Sequence, residues 1–282
     1  MKLSKIAVFI LAASLSVTSY ATTIVGGSDL LDAAGGAQLE TWLGEDSLTF
    51  TKIFTHTASF DARGNITDDG KTALDFHSAV DGMGRTITLF RVEAATGFTF
   101  SSYGGIGYVV DLPSMVVGGY NPQSWESSRT PDSDYHITTD LSERTGAIFN
   151  LTDSLWFPQR QDVPTIGPDG KTINSRGQYQ TGNAYYSGPS FGGGADLGAA
   201  NLNNGWVLPF TYTPGDQNYG PNVLGFSGSS PNIRFDEIEV FTISASTGVP
   251  DTGSTFMLGI LAWAALTCFM SRPLAHRSHG GR

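Results

Sequence analysis

The sequence contains a single cysteine, Cys268, in 282 residues. One thiol excludes an intramolecular disulfide and any zinc site built on paired cysteines. Charge is also scarce: 15% of residues are Asp, Glu, Lys or Arg, against ~25% in an average soluble chain. The basic sign is the scarcer one, with 16 Lys and Arg against 26 Asp and Glu. Five of those cations (Lys2, Lys5, Arg272, Arg277 and Arg282) belong to the two ends. Without residues 1–21 and 251–282, the body carries 11 basic and 25 acidic residues, a net of −14. Such a body repels phosphate backbones and anionic bilayers, which excludes nucleic acid as a partner. Body histidines are few and dispersed (His56, His77, His136), and no HExxH pairs two of them, which argues against a zinc hydrolase. No Gly-x-Ser-x-Gly elbow and no internal repeat is present.

Aromatics and glycine are plentiful: 17 Phe, 10 Tyr, 5 Trp and 35 Gly. The rings can furnish a sizeable core, and the glycines point to many tight turns. Residues 28–43 have helical spacing through Leu30, Leu31, Ala34, Leu39, Trp42 and Leu43. Ser28 or Asp29 is the expected cap, and Gly35-Gly36 an expected break. After that the pattern turns to strands, expected over 48–55, 85–92, 98–100, 107–110, 116–120, 146–151, 205–212 and 232–244. In the last, Ile238 and Val240 alternate with Glu237, Glu239 and Phe241. Residues 121–135, 158–187 and 213–231 are polar and turn-rich and read as surface connections. The expected fold class is mostly β (α+β): a two-sheet antiparallel β-sandwich with a few short helices, spanning 22–246 as one domain.

The ends read as addresses. Lys2 and Lys5, then an apolar stretch over 6–15, then Ser19-Tyr20-Ala21 form a secretory signal with cleavage after Ala21. At the other end, residues 247–282 hold Val249-Pro250-Asp251-Thr252-Gly253, an apolar run over 256–270 and a basic terminus. The run approaches the ~20 residues of a spanning helix, and the arginines after it favour a cytoplasmic C-terminus. Cys268 lies inside the run, as a packing residue.

This tripartite tail resembles the PEP-CTERM class of sorting signals in its Val-Pro-Asp-Ser-Gly variant, with Thr252 in place of Ser. The resemblance implies handling by an exosortase-type membrane enzyme, a class that often accompanies exopolysaccharide production in Gram-negative bacteria. The same residues also resemble the Leu-Pro-x-Thr-Gly signal of sortases, with Val249 in place of Leu.

Within the body, an ordered set of fragments resembles the TLDc domain. They are Phe76-His77, Asp81-Gly82 with residues 84–89, Gly118-Gly119-Tyr120, Trp125, residues 147–151, residues 188–197, and Phe235 with residues 237–241. The resemblance implies a β-sandwich with short helices and no established catalytic site. Residues 93–115 depart from it as an insertion before Gly118-Gly119.

Four constellations carry chemistry-bearing residues. Asp75, His77 and Asp81 could tune a general base, but His77 falls within the Phe-His fragment, where a structural role is simplest. Asp61, Asn65, Asp68 and Asp69 miss the EF-hand pattern and read as a solvated acidic turn. The glycine-rich Gly192-Gly193-Gly194-Ala195-Asp196 lacks the residues of a phosphate loop; Gly193, Gly194 and Asp196 are candidate calcium or ligand residues, and calcium is the one candidate cofactor. Tyr103, Tyr135, Tyr179, Tyr185 and Tyr186 fall in loops and suit a sugar-binding face, whereas Tyr120 and Trp125 suit the core. The expectation is an exported, membrane- or surface-held, non-catalytic binding or structural module, with exopolysaccharide as a candidate partner. Its alternatives are a calcium-dependent lectin-like module and a carboxylate-based glycan-active enzyme.

Overall fold

Hydrophobic side chains at every second position, interrupted by glycine, build the body out of short strands. The computed structural model describes residues 22–101, 107–127, 134–166, 172–173, 175–212 and 221–246. The signal segment through Ala21, Tyr103 and the whole tail from Val249 through Gly253 to Cys268 lie outside the described residues. Strand β1 (Thr23–Val25), helix α1 (Ala33–Leu43), strands β2 (Leu48–Phe60) and β3 (Ile66–Asp68) and helix α2 (Ala73–Val80) open the fold. Strands β4 (Thr86–Val92), β5 (Ala95–Ser101), β6 (Gly107–Leu112), β7 (Met115–Asn121), β8 (Tyr135–Ile137), β9 (Ala147–Asn150) and β10 (Leu155–Pro158) follow. Then come β11 (Thr165–Ile166), β12 (Thr172–Ile173), β13 (Tyr179–Gly182), β14 (Ser190–Phe191), β15 (Leu197–Gly198) and β16 (Asn204–Val207), and finally the 16-residue β17 (Ser230–Ala245). Thr22–Ser246 forms one compact unit. Among the described residues no helix is long and apolar enough to cross a membrane.

Strand β17 is long enough to serve two sheets. Its second half pairs with β4 and β2, giving a first sheet ordered β10-β9-β7-β4-β17-β2-β1, antiparallel except for β1 beside β2. Its first residues pair with β16 and begin a second antiparallel sheet, β17-β16-β15-β14-β13-β8. The fold is therefore mostly β and antiparallel, as the sequence predicts. The two sheets meet at glycine: a Cβ on Gly119 of β7 would sit 2.5 Å from the Phe191 ring of β14. Trp125, fully buried, packs edge-on between Phe191 and Phe76 at 5.5 and 5.3 Å, and its indole N–H donates to Thr86 Oγ1.

Both faces of the first sheet are covered. In β4, Phe90 and Val92 join the core between the sheets, while Ile87 and Leu89 join a second core under α1. Thr86 and Thr88 are fully buried as well. Leu39 of α1 is fully buried there, and Trp42 meets Phe149 and Trp156. Each such apolar side chain contributes roughly 1.5–3 kcal/mol on burial.

Three expectations are corrected. The cap of α1 is Asp32, whose carboxylate accepts from Gly35 N–H at 2.7 Å; Ser28 and Asp29 precede the helix. Gly35 and Gly36 do not break the helix, which runs on to Leu43; Gly36 instead lets Thr22 approach so closely that a Cβ would sit 2.3 Å from its methyl. The connection expected over 158–187 contributes β13 and buries Gln159, Gln178 and Gln180. Within the inserted residues 93–115, β5 and β6 pair antiparallel, and Phe100 of β5 stacks on Phe226 at 5.0 Å.

Candidate functional site

The register of the second sheet aligns one residue from each of five strands. Tyr135 pairs with Gly182, Gly182 with Ser190, Ser190 with Gly198, and Gly198 with Trp206. Directly paired residues of antiparallel strands share a face. That face is outward, because Trp206 is 48% exposed while its neighbours Gly205 and Val207 are buried. The row thus reads aromatic, Gly, Ser, Gly, aromatic. The glycines and Ser190 make a low floor, and the rings form walls. A cavity of about 290 Å³ lies over the row, flanked by Asp134, Tyr186 and Ala200.

Polar contacts hold these walls. Tyr186 Oη donates to Asp134 Oδ2 at 3.2 Å, and the nearby carboxylate charge raises the phenol above its ordinary pKa. Tyr135 packs edge-on against Tyr179 at 5.5 Å, and Gly194 N–H donates to Tyr135 Oη at 3.3 Å. Gly194, a residue singled out in sequence, lines the cavity; Gly193 donates instead to Thr211 Oγ1. Of the loop tyrosines, the structure brings Tyr135 and Tyr186 to the cavity, with Tyr179 behind Tyr135. Tyr185 is exposed beside Tyr186, and Tyr120 and Trp125 fill the core. Trp206 escaped the sequence reading, although it sits one residue before buried Val207 in a strand and so must face the other way.

His77 anchors the turn that carries Tyr186. Its Nε2 lies 3.1 and 3.0 Å from the carbonyls of Ala184 and Ser187, and its Nδ1 lies 2.9 Å from Asp81 Oδ1. Asp81 Oδ2 accepts from Ser127 N–H and Oγ–H. The carboxylate thus stands between Ser127 and His77, whereas nucleophilic catalysis needs the imidazole next to the hydroxyl. Asp75 is turned away, accepting from Thr72 N–H and Oγ–H at the start of α2. The acidic turn is likewise occupied: Asp61 accepts from Arg63 and Asn65 N–H, Asp68 from Asn203, and Asp69 pairs with His56 and Lys71.

Asp196, at the end of the glycine-rich loop, is fully buried. Its Oδ2 accepts from the N–H groups of Phe210, Thr211 and Tyr212 at 2.8, 2.6 and 2.9 Å. Desolvation outweighs those bonds and pushes its pKa up to about 7. Calcium prefers a cage of oxygens. Three donors occupy Oδ2 of this carboxylate, while its Oδ1 is buried beside Gly192 with no hydrogen-bond partner among the described residues. A different acidic cluster comes together on β17: Asp29, Glu237 and Glu239 place carboxylate oxygens within 4.8 Å of one another. Glu239, fully buried, accepts from Ser28 Oγ–H and from Lys52 Nζ at 2.8 Å, and Glu237 pairs with Arg91 at 2.8 Å. Burial raises the Glu237 pKa against the pull of Arg91. The ion pairs join β17 to β2 and β4, while the Ser28 hydroxyl and the Asp29 and Leu30 N–H groups donate to Glu239 and tie the segment before α1 to the sheet.

No protein-family model matches the chain, and no curated protein matches it.

Proposed function

We propose that the chain is an exported, surface-held module of TLDc type that binds carbohydrate without transforming it. The observation that carries the binding reading is the outward row from Tyr135 to Trp206. Ring faces stack on the apolar C–H faces of pyranoses, while Asp134, Ser190 and backbone groups offer hydrogen bonds, the mixture expected of a ligand cleft. Glycoside hydrolysis needs two carboxyl groups roughly 5–10 Å apart, and among the described residues Asp134 is the one carboxylate lining the cavity. The mostly β sandwich with α1 and α2 supports the TLDc reading, and the two ends support export and handling by an exosortase-type enzyme, with a membrane segment in the tail.

Affinity electrophoresis through gels of neutral polysaccharides tests the binding reading. The full chain is retarded by at least one of them, and Trp206→Ala weakens retention about tenfold, some 1.4 kcal/mol, at an unchanged melting temperature. Release of reducing ends would favour the glycan-active enzyme instead. Mass spectrometry of protein recovered from cells tests the placement: the chain starts at Thr22 and ends within residues 248–253. An intact, unprocessed chain dissolved in the cytoplasm overturns export.

A further inference from the structure

We infer that the site takes a straight, uncharged glycan chain running across the strands from Tyr135 to Trp206, about one sugar ring per strand spacing. This rests on the carbohydrate reading above and adds ligand shape, length and charge to it. Five strands contribute to the row, so four strand spacings of about 4.8 Å separate its aromatic ends by about 19 Å. An equatorially linked pyranose chain advances about 5 Å per ring, close to the spacing of strands. A chain of four rings therefore spans from wall to wall while its middle rings lie over Gly182, Ser190 and Gly198.

The floor accepts a flat ligand and little else. A Cβ on Gly182 would sit 3.2 Å from Ser190 Cβ, and one on Gly198 would sit 3.0 Å from Ser190 Oγ. Ser190 stands beside the space a side chain on either glycine would need, which leaves a shallow shelf with no deep specificity pocket. A helically coiled chain would lift off such a shelf between the two walls. Charge narrows the class further. Asp134 stands at the Tyr135 end and accepts from Tyr186, no Lys or Arg lines the cavity among the described residues, and the body carries its net of −14. Uronate- or sulfate-bearing chains are repelled.

Titration of the full chain with β-1,4-linked glucose oligomers of two to six rings, with α-1,4-linked oligomers as the bent control, tests the inference. Affinity is expected to rise at least tenfold from the disaccharide to the tetrasaccharide and then level off, with the α-linked series weaker at every length. Tyr135→Ala and Trp206→Ala each return the tetrasaccharide to the affinity of the disaccharide. Affinity that is flat from two rings to six overturns the extended site. So does a coiled or acidic polysaccharide that binds while the straight series does not. If no neutral polysaccharide binds at all, the carbohydrate reading itself falls.

Discussion

Replacing Asp196 with alanine is expected to leave too little stability for the native fold at ordinary temperature. The substitution strips the acceptor from three buried N–H groups, those of Phe210, Thr211 and Tyr212. Each orphaned buried donor costs about 1–3 kcal/mol, and the sum approaches the whole 5–15 kcal/mol that holds a typical domain together. Asp196→Asn keeps an oxygen for the three donors and removes the ionisation, so it separates geometry from charge. The folded pKa of about 7 lies above the unfolded value of 3.8. Between those values the folded state holds a proton that the unfolded chain has lost. Stability therefore falls as pH rises from about 4 to about 7, by up to about 4 kcal/mol, and this contribution is flat on either side. Denaturant melts of wild type and Asp196→Asn at pH 4.5 and 7.5 measure it. The variant loses that slope, while the opposing slopes of Asp61, Asp68 and Asp69, all held below their ordinary values, remain in both proteins. Identical pH dependence in the two would sink the assignment.

Gly119→Ala is expected to cost about 3 kcal/mol or more, the upper end of what overpacking a closed core costs. The added methyl would lie 2.5 Å from the Phe191 ring. That ring is fully buried against Trp125 and has nowhere to retreat. Gly118→Ala meets the Phe149 ring and the Thr88 carbonyl at 2.6 Å and serves as a second reading of the same constraint. Gly107→Ala, whose methyl would find ordinary contact at 3.4 Å, is the control. Chemical denaturation of Gly119→Ala, Phe191→Leu and the double variant gives the coupling. Partial rescue in the double variant places the clash at the sheet–sheet interface, and strict additivity refutes it.

Strong, long periodicities were legible from the residues alone. The Ile238–Val240 alternation sits in β17, and Ile87 and Leu89 share one face of β4. Trp125 and Tyr120 are core residues, as their flanking fragments indicated. Helix α2 was not legible: eight residues are two turns, too few for a period to stand out, and its one local mark was Thr72 three residues before Asp75. Strands β13 to β15 hold two to four residues each, too few for a period to stand out, and the burial around β13 is polar. Gln159 donates to Thr138 Oγ1 and the Gly177 carbonyl, and Gln180 donates to Gln159. Such side chains are buried because they find one another, and hydropathy registers them as loop.

Composition, alternation and turn residues on their own determined a mostly β, acidic body with no disulfide, because those properties are sums over the chain or depend on near neighbours. That Asp134, Tyr135, Tyr186 and Trp206 line one cavity was decided by tertiary structure alone. Residues 134 and 206 reach the two ends of one row only through the hydrogen-bond register of β8, β13, β14, β15 and β16. A slip of one residue in any of those pairings would turn the next side chain outward and dismantle the row.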